Sequence, residues 1–340
     1  MKKIIYYISD HGKGHTTRSI AVIRELKKLN IEVTIRNSNS QVFINESLPG
    51  MKVIEGITDV GPSINKNGIS IDEKKSNKNI TNWIETVEEV SNRESILIKK
   101  INPNLIISDI SVMPLLASHK NKIPAITISN FSWYDVLKFL PKNSLNKLYQ
   151  YYDFSDLHIQ LPLSTELNHF KRKKSVGFVA RKQITSSINL RKSLGIKKED
   201  SMVLIALGNS KELKFKSDNN FKFLSINSKI NNQNNLIDVT NWIEGQDLIA
   251  AADLVICKCG YGFISECLTN STPFFYVYSE NHLEQREMSQ KLKKMGIKNQ
   301  ISGNEINDLN FTKEFMSDLP DSVSKNNDTK DTIAVIKEYL

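Results

Sequence analysis

An α/β fold with two parallel-sheet domains follows from three features of the sequence. Short, continuously apolar runs such as IIYYI (4–8) and NLIISD (104–109) read as strands buried on both faces. Amphipathic stretches separate them, the alternation expected of βαβ units. That alternation fades around residues 155–200 and then restarts. A chain of 340 residues also exceeds the roughly 250–300 at which a single core stops growing.

The elements follow in order. The first strand (4–8) leads through the loop DHGKGHTTRS (10–19) into a helix with Ile20, Ile23, Leu26 and Leu29 at helical spacing. A second strand occupies 32–35. Residues 58–82 are polar and turn-rich and are expected as a mobile loop, with a helix at 83–100. One strand ends at Asp109, and IPAITISN (123–130) supplies the next, opened by proline. In the second half MVLIALGNS (202–210) is a strand running into a small-residue loop. DLVICKCGYGFISECL (253–268) repeats strand, glycine loop and helix, and PFFYVYSENH (273–282) adds a strand with its outgoing loop. DTIAVIKEYL (331–340) reads as an amphipathic helix capped by Asp328 or Thr329. The chain therefore divides into a domain at 1–165, a linker at 166–195, a domain at 196–325 and a C-terminal helix at 326–340.

Composition narrows the class. A hydrophobic fraction of 39% with 24% charged residues is that of an ordinary globular protein. No apolar stretch approaches the roughly 20 residues of a membrane span, and no secretory apolar region follows the N-terminal lysines. Cys257, Cys259 and Cys267, with no histidine nearby, read as small buried thiols, and a cytoplasmic location is expected. The net charge of +9 is dispersed over a lysine-rich chain, densest at KRKK (171–174), and nucleic acid is not expected as a partner.

Two glycine loops carry the chemistry. The first has Gly12, Gly14 and His15 but lacks the third glycine of a dinucleotide fingerprint. The second strand is followed by Arg36 and Asn37, with no acid for a ribose. The spacing is not that of a P-loop either. A histidine at the carboxyl end of a first strand can instead reach a bound hydroxyl or water, and an imidazole suits proton transfer near neutrality. His15 is the candidate base, with His11 beside it. In the second loop Gly260, Tyr261 and Gly262 precede a helix carrying Ser265 and Glu266. Its amides suit a diphosphate, and an acid one turn in suits the two hydroxyls of a ribose. Glu284 and Gln285, on the loop after the next strand, can reach polyol hydroxyls in the same crevice.

Together these motifs resemble nucleotide-sugar glycosyltransferases of the two-Rossmann GT-B type, in particular family 28, the group of the peptidoglycan lipid I N-acetylglucosaminyltransferase. HGKGHTTRS is similar to that family's first loop, with G-x-G-H-x-x-R in Gly12, Gly14, His15 and Arg18. PNLIISD and IPAITISNFSW (123–133) resemble its later N-domain strands and are similar to the N-terminal region of L-arabinokinases. VGFVARK (176–182) resembles the interdomain linker, with Phe178 where proline is common. DLVICKCGYGFISE and NHLEQRE (281–287) resemble the donor loop and the sugar-contact motif. The resemblance implies two Rossmann-like domains facing across a cleft, with donor on the C-terminal half at Gly260, Tyr261, Gly262, Ser265 and Glu266. Glu284 and Gln285 would contact the sugar. The acceptor would lie on the N-terminal half near His15, with His11, Gly12, Gly14, Arg18 and Asp109 supporting the cleft. Asn209 and Ser210 would support it from the other side, where relatives often carry paired glycines.

The implied reaction is metal-free, inverting transfer from a nucleotide-diphosphate sugar, UDP-linked first and dTDP- or GDP-linked otherwise. No resident cofactor is implied. The acceptor would be a sugar, a lipid or a small molecule. The same residues would also serve a nucleotide-sugar hydrolase in which His15 activates water, or a non-catalytic nucleotide-sugar-binding protein. In NFSWYDVLKFLPKNSLNKLYQYY (130–152), aromatics interleave with lysines, which suits a core helix with a solvated lysine face or, alternatively, peripheral contact with the inner membrane face.

Overall fold

The computed structural model describes residues 1–65, 70–208, 212–231, 235–319 and 322–340. In the first half, β1 (Lys3–Tyr7), β2 (Glu32–Asn37), β3 (Lys52–Glu55), β4 (Leu105–Ser108), β5 (Ala125–Ser129), β6 (Leu157–Gln160) and β7 (Lys173–Ser175) form one sheet. Every pairing is parallel and the order is β3-β2-β1-β4-β5-β6-β7. Helices α1 (Lys13–Lys27), α2 (Gln41–Ser47), α3 (Glu73–Ile101), α4 (Met113–Asn121), α5 (Trp133–Val136) and α6 (Lys142–Tyr152) occupy the connections. Ile4, Ile5, Tyr6 and Tyr7 and all of β4 are buried, as continuous apolar strands covered on both faces must be.

Helix α3 starts at Glu73, well before the expected 83. Asp72 caps it by accepting from the Lys75 amide at 3.0 Å, while Ser76, Ile80 and Ile84 face the interior. The intervening lysines and asparagines hide that periodicity in the sequence.

The second half repeats the plan on a smaller scale. Strands β8 (Ser201–Ala206), β10 (Phe221–Ser225), β11 (Leu236–Asp238), β12 (Leu254–Lys258) and β13 (Phe274–Val277) pair in parallel as β11-β10-β8-β12-β13. The short β9 (Lys216–Ser217) and β14 (Asn310–Phe311) pair separately. Helices α7 (Ser187–Ser193), α8 (Gly245–Ala251), α9 (Tyr261–Asn270), α10 (Leu283–Lys294), α11 (Gly303–Asn307) and α12 (Lys313–Ser317) complete it. Phe215, Phe221, Phe223 and Phe311 form the aromatic part of its core.

The chain separates into two compact units after Ala180. The first comprises Met1–Ser63, Ile71–Ala180 and Asn327–Leu340, and the second Arg181–Asn326 with Ile64–Ser70. The expected linker at 166–195 is thus shared between the units, KRKK contributing to edge strand β7 in the first and α7 standing in the second. The last helix, α13 (Thr329–Lys337), packs on α1. Asp328 occupies its N-cap without a capping bond, and Asn327 Nδ2 donates to Ala180 O at 2.8 Å.

Among the described residues no helix is long and apolar enough to cross a membrane. Within 130–152, Phe131, Trp133, Tyr151 and Tyr152 point into the interior, so these rings serve the core rather than an outward aromatic face. In each unit the strand order reverses once, between β1 and β4 and between β8 and β12. Ligands of open α/β sheets bind beyond the carboxyl ends of the strands at such reversals.

Candidate functional site

In the first unit, Gly12 makes the turn from β1 into α1 with φ 75°, a conformation glycine adopts without steric cost. His15, Arg18 and Ser19 then stand three and four residues apart, on one face of α1. That face meets Asp109, which directly follows β4. His15 Nδ1 lies 2.7 Å from Asp109 Oδ1, Arg18 Nη2 2.5 Å from the same oxygen, and Arg18 Nε and Ser19 Oγ donate to Oδ2 at 2.8 and 3.0 Å. Arg18 Nη1 also donates to Asn130 Oδ1 at 2.6 Å, at the end of β5.

Asp109 dominates the electrostatics around the imidazole. Burial pushes the Asp109 carboxyl upward, but Arg18 and then His15 outweigh it and hold it at about 2. With Asp109 ionised, a proton on Nδ1 completes a hydrogen bond across the 2.7 Å to its Oδ1. Arg18 Nη2 also stands 2.8 Å from Nδ1, and because a guanidinium only donates, Nδ1 is the acceptor in this contact when the ring proton is on Nε2. With the proton on Nδ1, the free lone pair of the ring is on Nε2. It has no hydrogen-bond partner among the described residues.

Aromatic rings enclose this histidine. Phe131 meets it edge-on with centroids 5.6 Å apart, and Trp133 lies at 6.3 Å. His11 packs edge-on against Trp133 at 5.5 Å and beneath the backbone of Gly61, where any Cβ would collide with its ring. Gly14 faces open space in the first turn of α1.

The second unit has its own strand-order reversal, between β8 and β12, and its glycine loop follows β12. Gly260 is the N-cap of α9 in an extended conformation and offers no side-chain cap, while the first turn of a helix leaves its amides without intrahelical partners. Tyr261, Gly262, Ser265 and Glu266 are all buried in α9, and Ser265 Oγ donates to Gly262 O at 3.2 Å. Glu266 is paired with Arg181, whose Nε and Nη2 donate to its two oxygens at 2.8 and 3.3 Å. Two carboxylate oxygens offer about four lone-pair sites, so this pairing leaves capacity for further donors. Gln285 Oε1 accepts from the Ser279 amide at 3.0 Å, and Glu284 sits in the first turn of α10. Asn209 and Ser210 lie outside the described residues. Just before them Gly208, at φ 65°, brings its backbone so near Lys258 that a Cβ would stand 2.8 Å from Nζ. Burial lowers the pKa of that ammonium.

The structure thus joins His15, Arg18 and Asp109 in one cluster and Gly260, Tyr261, Gly262, Ser265 and Glu266 on one helix. It adds residues that the sequence does not mark as part of these sites: Asn130, Ser19 and Trp133 in the first unit, Arg181 and Lys258 in the second. Asp59, deep in the first cluster, came from a stretch without periodicity. The three cysteines are buried and free, and among the described residues no group of three or more His, Cys, Asp or Glu could hold a metal ion.

Comparison with known proteins bears on both halves. Residues 2–151 match the family described as glycosyl transferase family 1, and residues 179–332 match the glycosyltransferase family 28 C-terminal domain. L-arabinokinase of Arabidopsis thaliana is 24% identical over 291 residues, 80% of this chain; the chain spans 28% of that relative's length. Among solved structures, the glycotransferase of kitacinnamycin superposes with a TM-score of 0.61 at 15% identity, covering 99% of each chain. Arabidopsis thaliana UGT89C1, complexed with UDP-L-rhamnose, superposes with a TM-score of 0.60 at 9% identity, over 93% of this chain and 89% of that one.

Proposed function

We propose that this chain, whose two halves match glycosyltransferase family models, moves a sugar from a nucleotide-diphosphate donor, UDP-linked in the first instance, to an acceptor hydroxyl in one inverting displacement. The observation that carries this is the His15–Asp109 contact of 2.7 Å, with Nε2 unbonded at the strand-order reversal of the first unit. Nε2 takes the acceptor proton as the acceptor oxygen bonds to the anomeric carbon. The bond from that carbon to the diphosphate breaks, and its electron pair goes to the phosphate oxygen. Asp109 keeps the ring in the required tautomer and stabilises the imidazolium that forms, the role of the acid in hydrolase triads.

In this reading the donor belongs to the second unit. The first-turn amides of α9 and the Lys258 ammonium offset charge on the departing diphosphate, so the scheme runs without a metal ion. Glu266 takes the ribose hydroxyls, and Glu284 and Gln285 the sugar. The acceptor is a sugar, lipid or small-molecule hydroxyl.

Thermal melting with UDP, dTDP and GDP is the first test. A nucleotide at a hundredfold excess over its Kd stabilises the native state by about 2.7 kcal/mol, enough to move the midpoint by several degrees. Glu266→Ala is expected to abolish the shift. No shift with any of the three would overturn the reading. Free sugar released at a catalytic rate without acceptor would assign the site to hydrolysis instead.

A further inference from the structure

Immediately after Asp109 the backbone adopts a conformation that branched side chains avoid. Ile110 has φ 67°, an outlier for a β-branched residue, and its side chain is buried. Strain of this kind persists only where the surroundings over-determine it. Three hydrogen bonds do so here. Tyr152 Oη donates to Ile110 O at 2.7 Å, Ser108 Oγ to Ser111 O at 2.7 Å, and Ser111 Oγ to Asp59 Oδ2 at 2.9 Å.

Asp59 is where these restraints meet. Its buried carboxylate accepts from Ser9 Oγ at 3.0 Å and the Asp10 amide at 2.9 Å on one oxygen. The other accepts from Ser111 Oγ at 2.9 Å and Trp133 Nε1 at 3.0 Å. The donors come from the segments following β1, β4 and β5, while Asp59 itself follows β3. Asp10 extends the network by accepting from the Ser38, Asn39 and Thr58 amides. Burial pushes the Asp59 carboxyl upward, against its hydrogen bonds and the nearby His15. Four donors converging on two oxygens nevertheless suit the carboxylate, because a protonated acid would bring a fifth hydrogen to the cluster.

We propose, resting on the assignment of His15 as base, that Asp59 is the positioning residue of that site. Through Ser111 and Trp133 it holds the Ile110 turn, and so keeps Asp109 on His15 Nδ1 with Nε2 turned outward. Asp59 touches no reacting atom. Without it the turn relaxes, Asp109 leaves Nδ1, and the ring proton distributes between the two nitrogens. A misplacement of about 1 Å at a reacting group costs about a hundredfold in rate.

The experiment uses the full chain labelled with 15N-histidine, the His15 ring being assigned by its loss in His15→Gln. The wild type at pH 8 is expected to show a single tautomer protonated on Nδ1. Asp59→Asn and the milder Ser111→Ala are expected to show mixed tautomers, and Ser111→Ala carries the test should Asp59→Asn not fold. Turnover of a UDP-hexose is expected to fall about a hundredfold in Asp59→Asn and about tenfold in Ser111→Ala, with the UDP-induced melting shift retained. A His15 ring that stays wholly Nδ1-protonated in the folded variants would overturn the proposal. That readout stands even if the wild type turns over no nucleotide sugar, the outcome that would remove the transferase reading alone.

Discussion

Replacing Arg181 by methionine leaves Glu266 buried and without its cation, and a double-mutant cycle on this pair separates two roles of the carboxylate. Both side chains are 4% exposed, and the guanidinium donates to both Glu266 oxygens. Breaking a buried pair from one side costs about 3–5 kcal/mol, whereas replacing both partners with neutral groups is often close to neutral. Arg181→Met should therefore lose about 3–5 kcal/mol in urea unfolding, and Arg181→Met/Glu266→Gln should recover most of it, a coupling of about 3 kcal/mol. Donor affinity should behave differently. A carboxylate accepting two ribose hydroxyls contributes about 3 kcal/mol at the lower end for charged hydrogen bonds, which is about 150-fold in Kd. In calorimetric titration with UDP the double variant should stay about a hundredfold weaker than wild type while its stability returns. Recovery of UDP affinity to within about threefold of wild type would mean that Glu266 only supports the fold, and the ribose assignment would fall.

Three further outcomes follow from the same geometry. Asp109→Asn should reduce kcat by about 10²–10⁴-fold, the range for losing effective acid–base catalysis, measured with whichever donor shifts the melting curve. Because the folded carboxyl lies near 2 against 3.8, its stabilising contribution is present above pH 4 and is lost between about pH 4 and 2; the variant should lack that part of the acid sensitivity. His158, stacked on Phe170 and pushed by burial to about 3, contributes fully only above pH 6.5 and loses about 1.4 kcal/mol per pH unit below it until about pH 3. His158→Asn should be less stable at pH 7.5 but show a flatter decline toward pH 5 in urea titrations; an unchanged slope would contradict the burial argument. Gly208→Ala combines a positive φ with a Cβ 2.8 Å from Lys258 Nζ, so it should weaken UDP binding at least tenfold with a small change in melting point.

Much of this site was legible because chemistry and chain position coincide. His15 and Arg18 announce themselves by following a buried strand through a glycine turn, and Asp109 by ending one. Glu266 was legible for the same reason, one turn beyond a glycine loop. Arg181 was not, because its partner lies far along the chain and nothing local in VGFVARK marks it as the counter-charge. Asp59 was hidden more deeply. It lies in polar sequence with neither period, and its meaning depends on Ser9, Ser111 and Trp133, three residues brought together only by strand order. Trp133 was open to both a core and an outward reading, because a sequence pattern cannot say which side of a short helix meets the sheet; its burial decides for the core. The early start of α3 was missed for a similar reason: its inward face consists of Ser76, Ile80 and Ile84, diluted by lysines.

The packing of α13 on α1 bears on synthesis as well as on the finished molecule. Helix α1 carries His15, Arg18 and Ser19, yet the helix that covers it is translated about 300 residues later, roughly 15–60 s at ordinary ribosomal rates. During that interval the nascent first unit holds its base-bearing helix without the helix that packs on it. Ile333 and Ile336, buried in the finished protein, are then the last stitches in that unit. A ribosome paused shortly before them would present a chain with the second sheet complete and the first unit still open to chaperones.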